Sequence, residues 1–220
     1  SAVDDAAGLI MSEVVKLGLS ENTCTFFTSD NGPSRESRNW LDGNQDDYYG
    51  GSAGGLKGHK FSLYEGGIRV PGIVNWPTEI SPGQILDIPC ASMDIFPTCL
   101  EAAGGDASSF ELDGQSLLPI AARSEQHPER TICWEMGGQN AVRKGKWKLV
   151  LKGQLTEGTP PEDDVHLSDL DMGEQSNLKD DHREIVTELE RELLDWRERI
   201  ETRWREEFSV ETQGTVTHKS

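Results

Sequence analysis

The amino-acid sequence predicts an α/β fold followed by a small antiparallel sheet with one long helix. Near the start, a helical apolar pattern leads into a short β-branched and aromatic run that stops in a polar turn, which is half of an α/β unit. Residues 131–170 contain short alternating runs separated by Gly and Pro, which is typical of antiparallel strands. An apolar stripe over residues 181–208, with Glu and Arg on the opposite face, predicts the long helix.

Local patterns predict the elements of the first part. Apolar residues at helical spacing predict a helix over Val3–Leu17, and Gly18 stands where a C-cap would lie. The run Thr23–Thr28 has apolar residues on both faces, which predicts a buried parallel strand covered on both sides. A second buried strand is predicted over residues 68–76 and a helix over residues 93–103. We therefore expect part of a mixed sheet with flanking helices.

Near residue 125 the sequence changes to short alternating runs separated by Gly and Pro, and this change predicts a division into three parts. We expect an α/β domain over residues 1–125, a small α+β subdomain over 126–208 and a polar tail over 209–220. The subdomain holds the alternating run Lys146–Lys152 and the long helix. The apolar stripe of that helix consists of Ile185, Leu189, Leu193, Trp196, Ile200 and Trp204.

Composition excludes several classes of protein. The 39 acidic residues against 21 Lys and Arg give a formal net charge of −18, so no basic stripe offers a counter-charge to a nucleic acid. No stretch approaches the roughly 20 uninterrupted apolar residues of a membrane-spanning helix. The four cysteines form no C-x-x-C pair, which argues against a structural zinc site and leaves a single disulfide open.

The dipeptide Asp30-Asn31 is the first candidate for chemistry. It follows a predicted strand, and ligand sites of open α/β sheets lie beyond the carboxyl ends of the strands. A carboxylate beside a carboxamide offers two hard oxygen donors, which suit Ca²⁺ or Mg²⁺ better than zinc. An Asx-turn leading into Gly32 is the structural alternative. Two donors do not complete a site, because Ca²⁺ takes roughly six to eight oxygens.

Two further segments carry chemically useful side chains. In Lys57-Gly-His-Lys60, Lys60 could pair with an anionic oxygen and His59 could donate a proton or bind substrate, although a solvated loop is the default for such a sequence. In the segment from Glu65 to Pro71, two adjacent glycines suggest a backbone path that other residues do not allow. For Glu65 and Arg69 we favour an internal ion pair over contact with a ligand.

Three of these segments, in this order and spacing, resemble the C-terminal half of the type I sulfatases, the arylsulfatase family of the alkaline-phosphatase-like superfamily. The similarity continues through the predicted helix near residue 93, the segment from Leu112 to Leu117 and the subdomain, to about residue 200. The three core motifs are Ser29-Asp-Asn-Gly32, Gly55-Leu-Lys-Gly-His-Lys60 and Leu63-Tyr-Glu-Gly-Gly-Ile-Arg-Val-Pro71.

The resemblance implies an alkaline-phosphatase-like fold that hydrolyses sulfate esters. Residues 1–125 would be the C-terminal part of the catalytic domain. By match, Asp30 and Asn31 help to hold a divalent cation, Ca²⁺ ahead of Mg²⁺. Lys60 contacts the sulfate group and His59 lines the substrate side, whereas Lys57 receives no catalytic role. The substrate would be a sulfated small molecule or glycan, and export to the periplasm, the extracellular space or the lysosome follows by analogy.

The nucleophile of the family is absent from the sequence. It is a formylglycine made from the Cys or Ser of a C/S-x-P/A-x-R motif, and no cysteine here has that context. We therefore expect a sulfatase fragment that is inactive alone and self-associates through exposed apolar surface. Another alkaline-phosphatase-like hydrolase, such as a phosphodiesterase, and a non-catalytic binding module remain alternatives.

The Gly- and Asp-rich segment from Ser34 to Gly58 is predicted to be a loop, and a loop of this length is usually either functional or disordered. Its aromatic residues Trp40, Tyr48 and Tyr49 could stack on a sugar ring or an aryl group. They could equally cap the core, and the sequence leaves both interpretations open.

Overall fold

The computed structural model describes residues 2–35, 51–123, 125 and 129–208. The predicted tail over 209–220 lies outside this part of the chain. The helices and strands, in chain order, are α1 (Ala2–Lys16), β1 (Thr25–Thr28), α2 (Glu65–Ile68), β2 (Gly72–Asn75), α3 (Ile95–Ala102), α4 (Leu118–Ala121), β3 (Thr131–Met136), β4 (Gln139–Lys144), β5 (Trp147–Gly153), β6 (Asp163–Asp169) and α5 (Arg183–Arg203).

The chain forms two compact units. Unit 1 comprises Ser1–Asp30 and Pro71–Pro128, and unit 2 comprises Asn31–Val70 and Glu129–Ser220. The segment that carries the lysine and glycine motifs therefore belongs to the same unit as the C-terminal sheet. The sequence-based division at residue 125 stays a prediction.

Helix α1 confirms the first predicted element. Asp4 and Asp5 lie in its first turn and Lys16 in its last turn, which complements the helix dipole. Gly18 adopts a φ of +68° just past the helix end, where a residue without a Cβ is favoured. No residue of the helix is buried.

The prediction of a buried parallel strand is wrong for β1. The strand pairs antiparallel with β2 in a two-stranded ribbon, with Thr25 opposite Asn75. Its first two residues are half-buried and its last two are exposed, so the strand is not buried on both faces. The second strand, predicted as buried over residues 68–76, is β2, which covers only Gly72–Asn75. The prediction that it is buried is wrong, because its residues are exposed apart from the half-buried Val74.

Buried side-chain hydrogen bonds hold the helix predicted over residues 93–103. The structure has a 3-10 turn (Ser92–Asp94) that continues into α3. The carboxylate of Asp94 accepts the N–H groups of Ala91 at 2.7 Å and Gln115 at 2.9 Å. The hydroxyl of Thr98 accepts the N–H of Leu117 at 2.9 Å. These bonds tie α3 to the segment before α4.

Unit 2 is built on the antiparallel sheet β3-β4-β5-β6, which confirms the predicted antiparallel sheet with a long helix. Gly137 and Gly138, with φ of +56° and +87°, form the two-residue turn between β3 and β4. One face of the sheet packs on α5 through Val142, Leu149, Leu167, Leu189 and Leu193. The other face packs on the segment just before α2 through Leu63, Tyr64, Ala141 and Val150.

None of the helices in the described ranges is both long and apolar enough to cross a membrane.

Candidate functional site

Three glycine-containing motifs meet in unit 2. The N–H of Gly32 donates to the carbonyl of Gly67 at 2.8 Å, and the N–H of Gly66 donates to the carbonyl of Lys57 at 2.7 Å. A Cβ on Gly32 would collide with the carbonyl of Gly66, and a Cβ on Gly66 would collide with the carbonyl of Gly58. The motifs therefore contain glycine because their backbones touch one another directly.

Lys60 lies at this junction. Its N–H donates to the carbonyl of Pro33 at 3.0 Å, so the lysine is anchored to the turn that follows Asn31. Its side chain is half-buried, and the Nζ atom lies 5.5 Å from the centroid of the Phe61 ring. The next residue, Phe61, has a φ of +70°, a conformation that non-glycine residues rarely adopt.

His59, the residue before Lys60, is held by a backbone hydrogen bond within unit 2. Its N–H donates to the carbonyl of Leu155 at 3.0 Å. Burial lowers the pKa of the His59 ring, and the positive charge of Arg35 acts in the same direction. The ring is therefore held neutral near pH 7, with one nitrogen able to donate a hydrogen bond and the other able to accept one.

The side chain of Lys57 contacts other groups of unit 2. Its Nζ atom lies 2.6 Å from a carboxylate oxygen of Glu162. The same ammonium group lies 4.3 Å from the centroid of the buried Tyr64 ring. The two lysines of this short segment thus have different surroundings.

Asp30 and Asn31 are the predicted cation ligands, and each fits that chemistry as an oxygen donor. Asp30 is exposed at the end of the segment that follows β1. Asn31 is half-buried, and its Nδ2 donates to the carbonyl of Gly32 at 2.9 Å. Across the ranges that the structure describes, no group of three or more His, Cys, Asp or Glu residues could hold a metal ion. The pair would therefore provide only part of a coordination shell.

A buried charge cluster lies beneath the glycine junction. The Nζ atom of Lys148 lies 2.8 Å from Glu65 Oε1 and 3.2 Å from Glu174 Oε1. The other oxygen of Glu174 accepts the N–H of Glu65 at 2.6 Å. Burial raises the pKa of Glu174, whereas the charge of Lys148 opposes that shift. The cluster links α2 to the C-terminal sheet.

The structure supports the ion pair expected for Glu65 and Arg69, whose charged atoms lie 3.6 Å apart. No motif in the sequence marks Lys148 or Glu174. The available signal for Lys148 was its position between Trp147 and Leu149 in an apolar run, which makes it a candidate for burial. A lysine is almost never fully buried unless it is paired, so a buried lysine indicates a charged partner. The aromatic residues Trp40, Tyr48 and Tyr49 lie outside the described residues.

Comparisons with known proteins agree with this arrangement. Residues 1–105 match the family model described as Sulfatase. Steryl-sulfatase of Rattus norvegicus is 40% identical over 133 residues, which are 60% of this chain and 22% of that protein. Arylsulfatase A of Bos taurus is 32% identical over 208 residues, which are 84% of this chain and 39% of that protein.

A solved structure from work on the metabolism of multiple glycosaminoglycans by Bacteroides thetaiotaomicron is also similar. It aligns with a TM-score of 0.66 and 28% identity, over 91% of this chain and 43% of that one. The fold and the matched motifs define a member of the alkaline-phosphatase-like superfamily. Within that superfamily, the chain is part of a sulfatase. It spans 22% to 43% of the length of these three relatives.

Proposed function

We propose that this chain provides the C-terminal part of the active centre of a sulfate ester hydrolase, in which Lys60 binds the sulfuryl group. The observation that supports the proposal is the close backbone contact of the motifs that contain Gly32, Gly58 and Gly66, which anchors Lys60 beside Pro33. An ammonium group has three hydrogen-bond donors for the oxygens of a sulfate ester. It would also stabilise negative charge as the ester bond breaks.

The neighbouring groups would have supporting roles. The neutral ring of His59 would donate one hydrogen bond to the substrate or accept one from it. Asp30 and Asn31 would be two of the oxygen ligands of a divalent cation, Ca²⁺ ahead of Mg²⁺. Such a cation, when bound, polarises sulfuryl oxygens. The residues of this chain do not fit the formylglycine of the family, since no cysteine or serine of the sequence begins a C/S-x-P/A-x-R motif, and we assign no step to it.

Binding of p-nitrophenyl sulfate to the purified chain tests the role of Lys60. A charge-assisted hydrogen bond contributes about 1.5–3 kcal/mol, so Lys60→Ala should weaken binding by about 10- to 100-fold. Lys16→Ala is the matched control, because it removes the same charge from an exposed pair with Glu13 and should leave binding within about twofold. Equal affinities for the Lys60→Ala variant and the original chain would refute the assignment.

Hydrolysis assays separate the proposal from its alternatives. We expect the chain alone to release no nitrophenol from p-nitrophenyl sulfate, because its sequence lacks the nucleophile motif. Tighter binding of p-nitrophenyl phosphate than of the sulfate would favour a phosphodiesterase-like relative. Binding of neither probe would favour a non-catalytic module. Sequencing the coding DNA upstream of Ser1 for a C/S-x-P/A-x-R motif tests the parent enzyme directly.

We further propose a sulfated small molecule or glycan as the substrate of the parent enzyme and an exported location for it. One matched relative is named N-acetylgalactosamine-6-sulfatase, and one matched structure comes from work on glycosaminoglycans. Competition of sulfated monosaccharides and aryl sulfates against p-nitrophenyl sulfate would select between the two substrate classes. Fractionation of the source cells would test the location.

A further inference from the structure

The backbone next to Lys60 is held in an unfavourable conformation. Phe61 and Lys152 are the non-glycine residues with positive φ in the part of the chain that the structure describes, at +70° and +52°. Left-handed backbone is unfavourable for an L-residue, because it brings the Cβ atom too close to the following carbonyl oxygen. Such conformations persist where the surroundings enforce them, and they cluster at functional sites. Specific contacts must therefore hold Phe61.

The side chain of Gln139 provides these contacts. Its Nε2 donates to the carbonyl of Phe61 at 2.7 Å. Its Oε1 accepts the N–H of Leu63 at 3.4 Å and the N–H of Gln154 at 2.8 Å. The residue is only 2% exposed, so the amide is removed from water and directed entirely at backbone groups.

The same region of the sheet also holds the residue before Lys60. The strained Lys152 lies near the end of β5, and the chain then passes Gln154 and reaches Leu155, whose carbonyl accepts the N–H of His59. Gln139 therefore bridges the segment after Lys60 and the segment after β5. The backbone of residues 59–61 is held on both sides, which sets the direction of the Cα–Cβ bond of Lys60.

We propose that Gln139 is a positioning residue for Lys60. It acts through the carbonyl of Phe61 and has no contact of its own with substrate. The inference rests on the proposed role of Lys60 in binding a sulfate ester. A purely structural glutamine would affect only the stability of the fold, whereas a positioning glutamine also changes the local geometry and affinity of the folded protein.

Two readouts on the purified chain test this proposal separately. The first is amide hydrogen exchange and ¹⁵N chemical shifts at Lys60 and Ser62, which report local geometry whether or not any ligand binds. The second is affinity for p-nitrophenyl sulfate. In Gln139→Ala, we expect the Lys60 amide to exchange at least about tenfold faster and affinity to fall about tenfold, as for the loss of one buried hydrogen bond.

Matched variants make the test specific. Gln84→Ala removes another glutamine amide that donates to backbone carbonyls, those of Ser81 and Ala121, and should change neither readout. Phe61→Gly accepts positive φ without strain, so Gln139→Ala should weaken affinity less than about threefold in that background. Gln139→Met keeps the side-chain volume and provides a folded variant if alanine is not tolerated.

The outcomes are distinguishable. Unchanged exchange and shifts at residues 59–63 in folded Gln139→Ala or Gln139→Met would overturn the positioning role, as would a loss of affinity that Phe61→Gly does not reduce. Altered exchange at Lys60 in a chain that binds no sulfate ester would support the positioning role and refute the proposed function.

Discussion

Gly66 lies where three motifs are in backbone contact, and its lack of a Cβ atom makes that contact possible. A Cβ at this position would meet the carbonyl groups of Lys57 and Gly58, which are backbone atoms and cannot swing aside as the end of a side chain can. Gly66 lies within helix α2, so its backbone conformation does not itself require glycine. The requirement comes from the close approach of two chain segments.

Gly66→Ala should therefore destabilise unit 2. Overpacking typically lowers the free energy of unfolding by about 1–3 kcal/mol, and rigid neighbours place this site at the upper end. Gly8→Ala is the control, because a Cβ there meets nothing within 4 Å and alanine favours a helix. Denaturant unfolding followed by circular dichroism measures both variants. An unchanged midpoint for Gly66→Ala would contradict the packing argument.

Lys148 is a second residue on which stability depends, because its buried charge is paired with two carboxylates. Its side chain is 0% exposed and lies between two buried carboxylates. Removal of one partner from a buried pair costs about 3–5 kcal/mol, so Lys148→Met should lower the free energy of unfolding by that amount. Lys146→Met, which breaks a pair with Asp169 at a lysine that is 49% exposed, should cost less than about 1 kcal/mol.

A double variant separates charge from packing at Lys148. If the unpaired carboxylate causes the loss, Lys148→Met with Glu65→Gln should recover part of it in urea unfolding. Equal destabilisation by Lys148→Met and Lys146→Met would show that the buried cluster contributes no more than a surface pair.

At the scale of elements, the sheet of unit 2 is covered on both faces, by α5 and by the segment before α2. His166 of β6 lies on the second side, edge-on to the Tyr64 ring with centroids 5.3 Å apart. Its Nδ1 lies 3.1 Å from an oxygen of Asp163, and its Nε2 lies 3.1 Å from the carbonyl of Glu174. Burial lowers the pKa of His166, although the Asp163 carboxylate opposes that shift.

This arrangement predicts a loss of stability on mild acidification. The unfolded chain takes up a proton at His166 near its ordinary pKa of about 6.5, whereas the folded chain resists protonation until a lower pH. The free energy of unfolding should therefore fall as the pH drops below about 6.5, and the loss is complete below the pKa of the folded state. Urea unfolding between pH 7.5 and 5 measures this slope.

His166→Gln provides the comparison. Glu174, whose pKa is raised by burial, contributes a slope of opposite sign in both proteins and cancels in the difference. The variant should lose less stability than the original chain over the same pH range. Parallel curves for the two proteins would show that His166 does not titrate differently on folding.

At the scale of the whole molecule, large apolar side chains remain exposed in unit 1. On α1 these include Leu9, which is 73% exposed, and Ile10, which is 65% exposed. On the ribbon, Phe27 and Ile73 are exposed as well. Exposed apolar side chains of this size favour association.

We therefore expect the purified chain to self-associate as its concentration rises. Replacement of Leu9 and Ile10 by Gln should shift the chain toward monomer, whereas Met172→Gln, at an exposed methionine of unit 2, should change little. Sedimentation velocity over a range of concentrations measures the distribution. A single monomeric species at every concentration would contradict the prediction.

Much of the fold could be predicted from local patterns. Helix α5 and the alternating strands followed from periodicity, because each pattern reflects which side of the element faces the core. Helix α1 also followed from its apolar spacing, although none of its residues is buried. The surroundings of β1 were predicted wrongly, since two apolar faces look the same in a sequence whether or not another layer covers them. The short helices α2 and α4 were missed, as four residues carry too little periodicity.

The sequence by itself determined the order of the elements and the identity of the family, because apolar spacing and the glycine motifs are written along the chain. Only the tertiary structure decided the distant hydrogen-bond partners of Glu65 and Gln139. These hydrogen bonds join residues 76 to 109 positions apart, from Gln139 to Leu63 and from Glu174 to Glu65. Side chains so distant in sequence leave no local pattern, so their contacts become visible only when the sheet has brought them together.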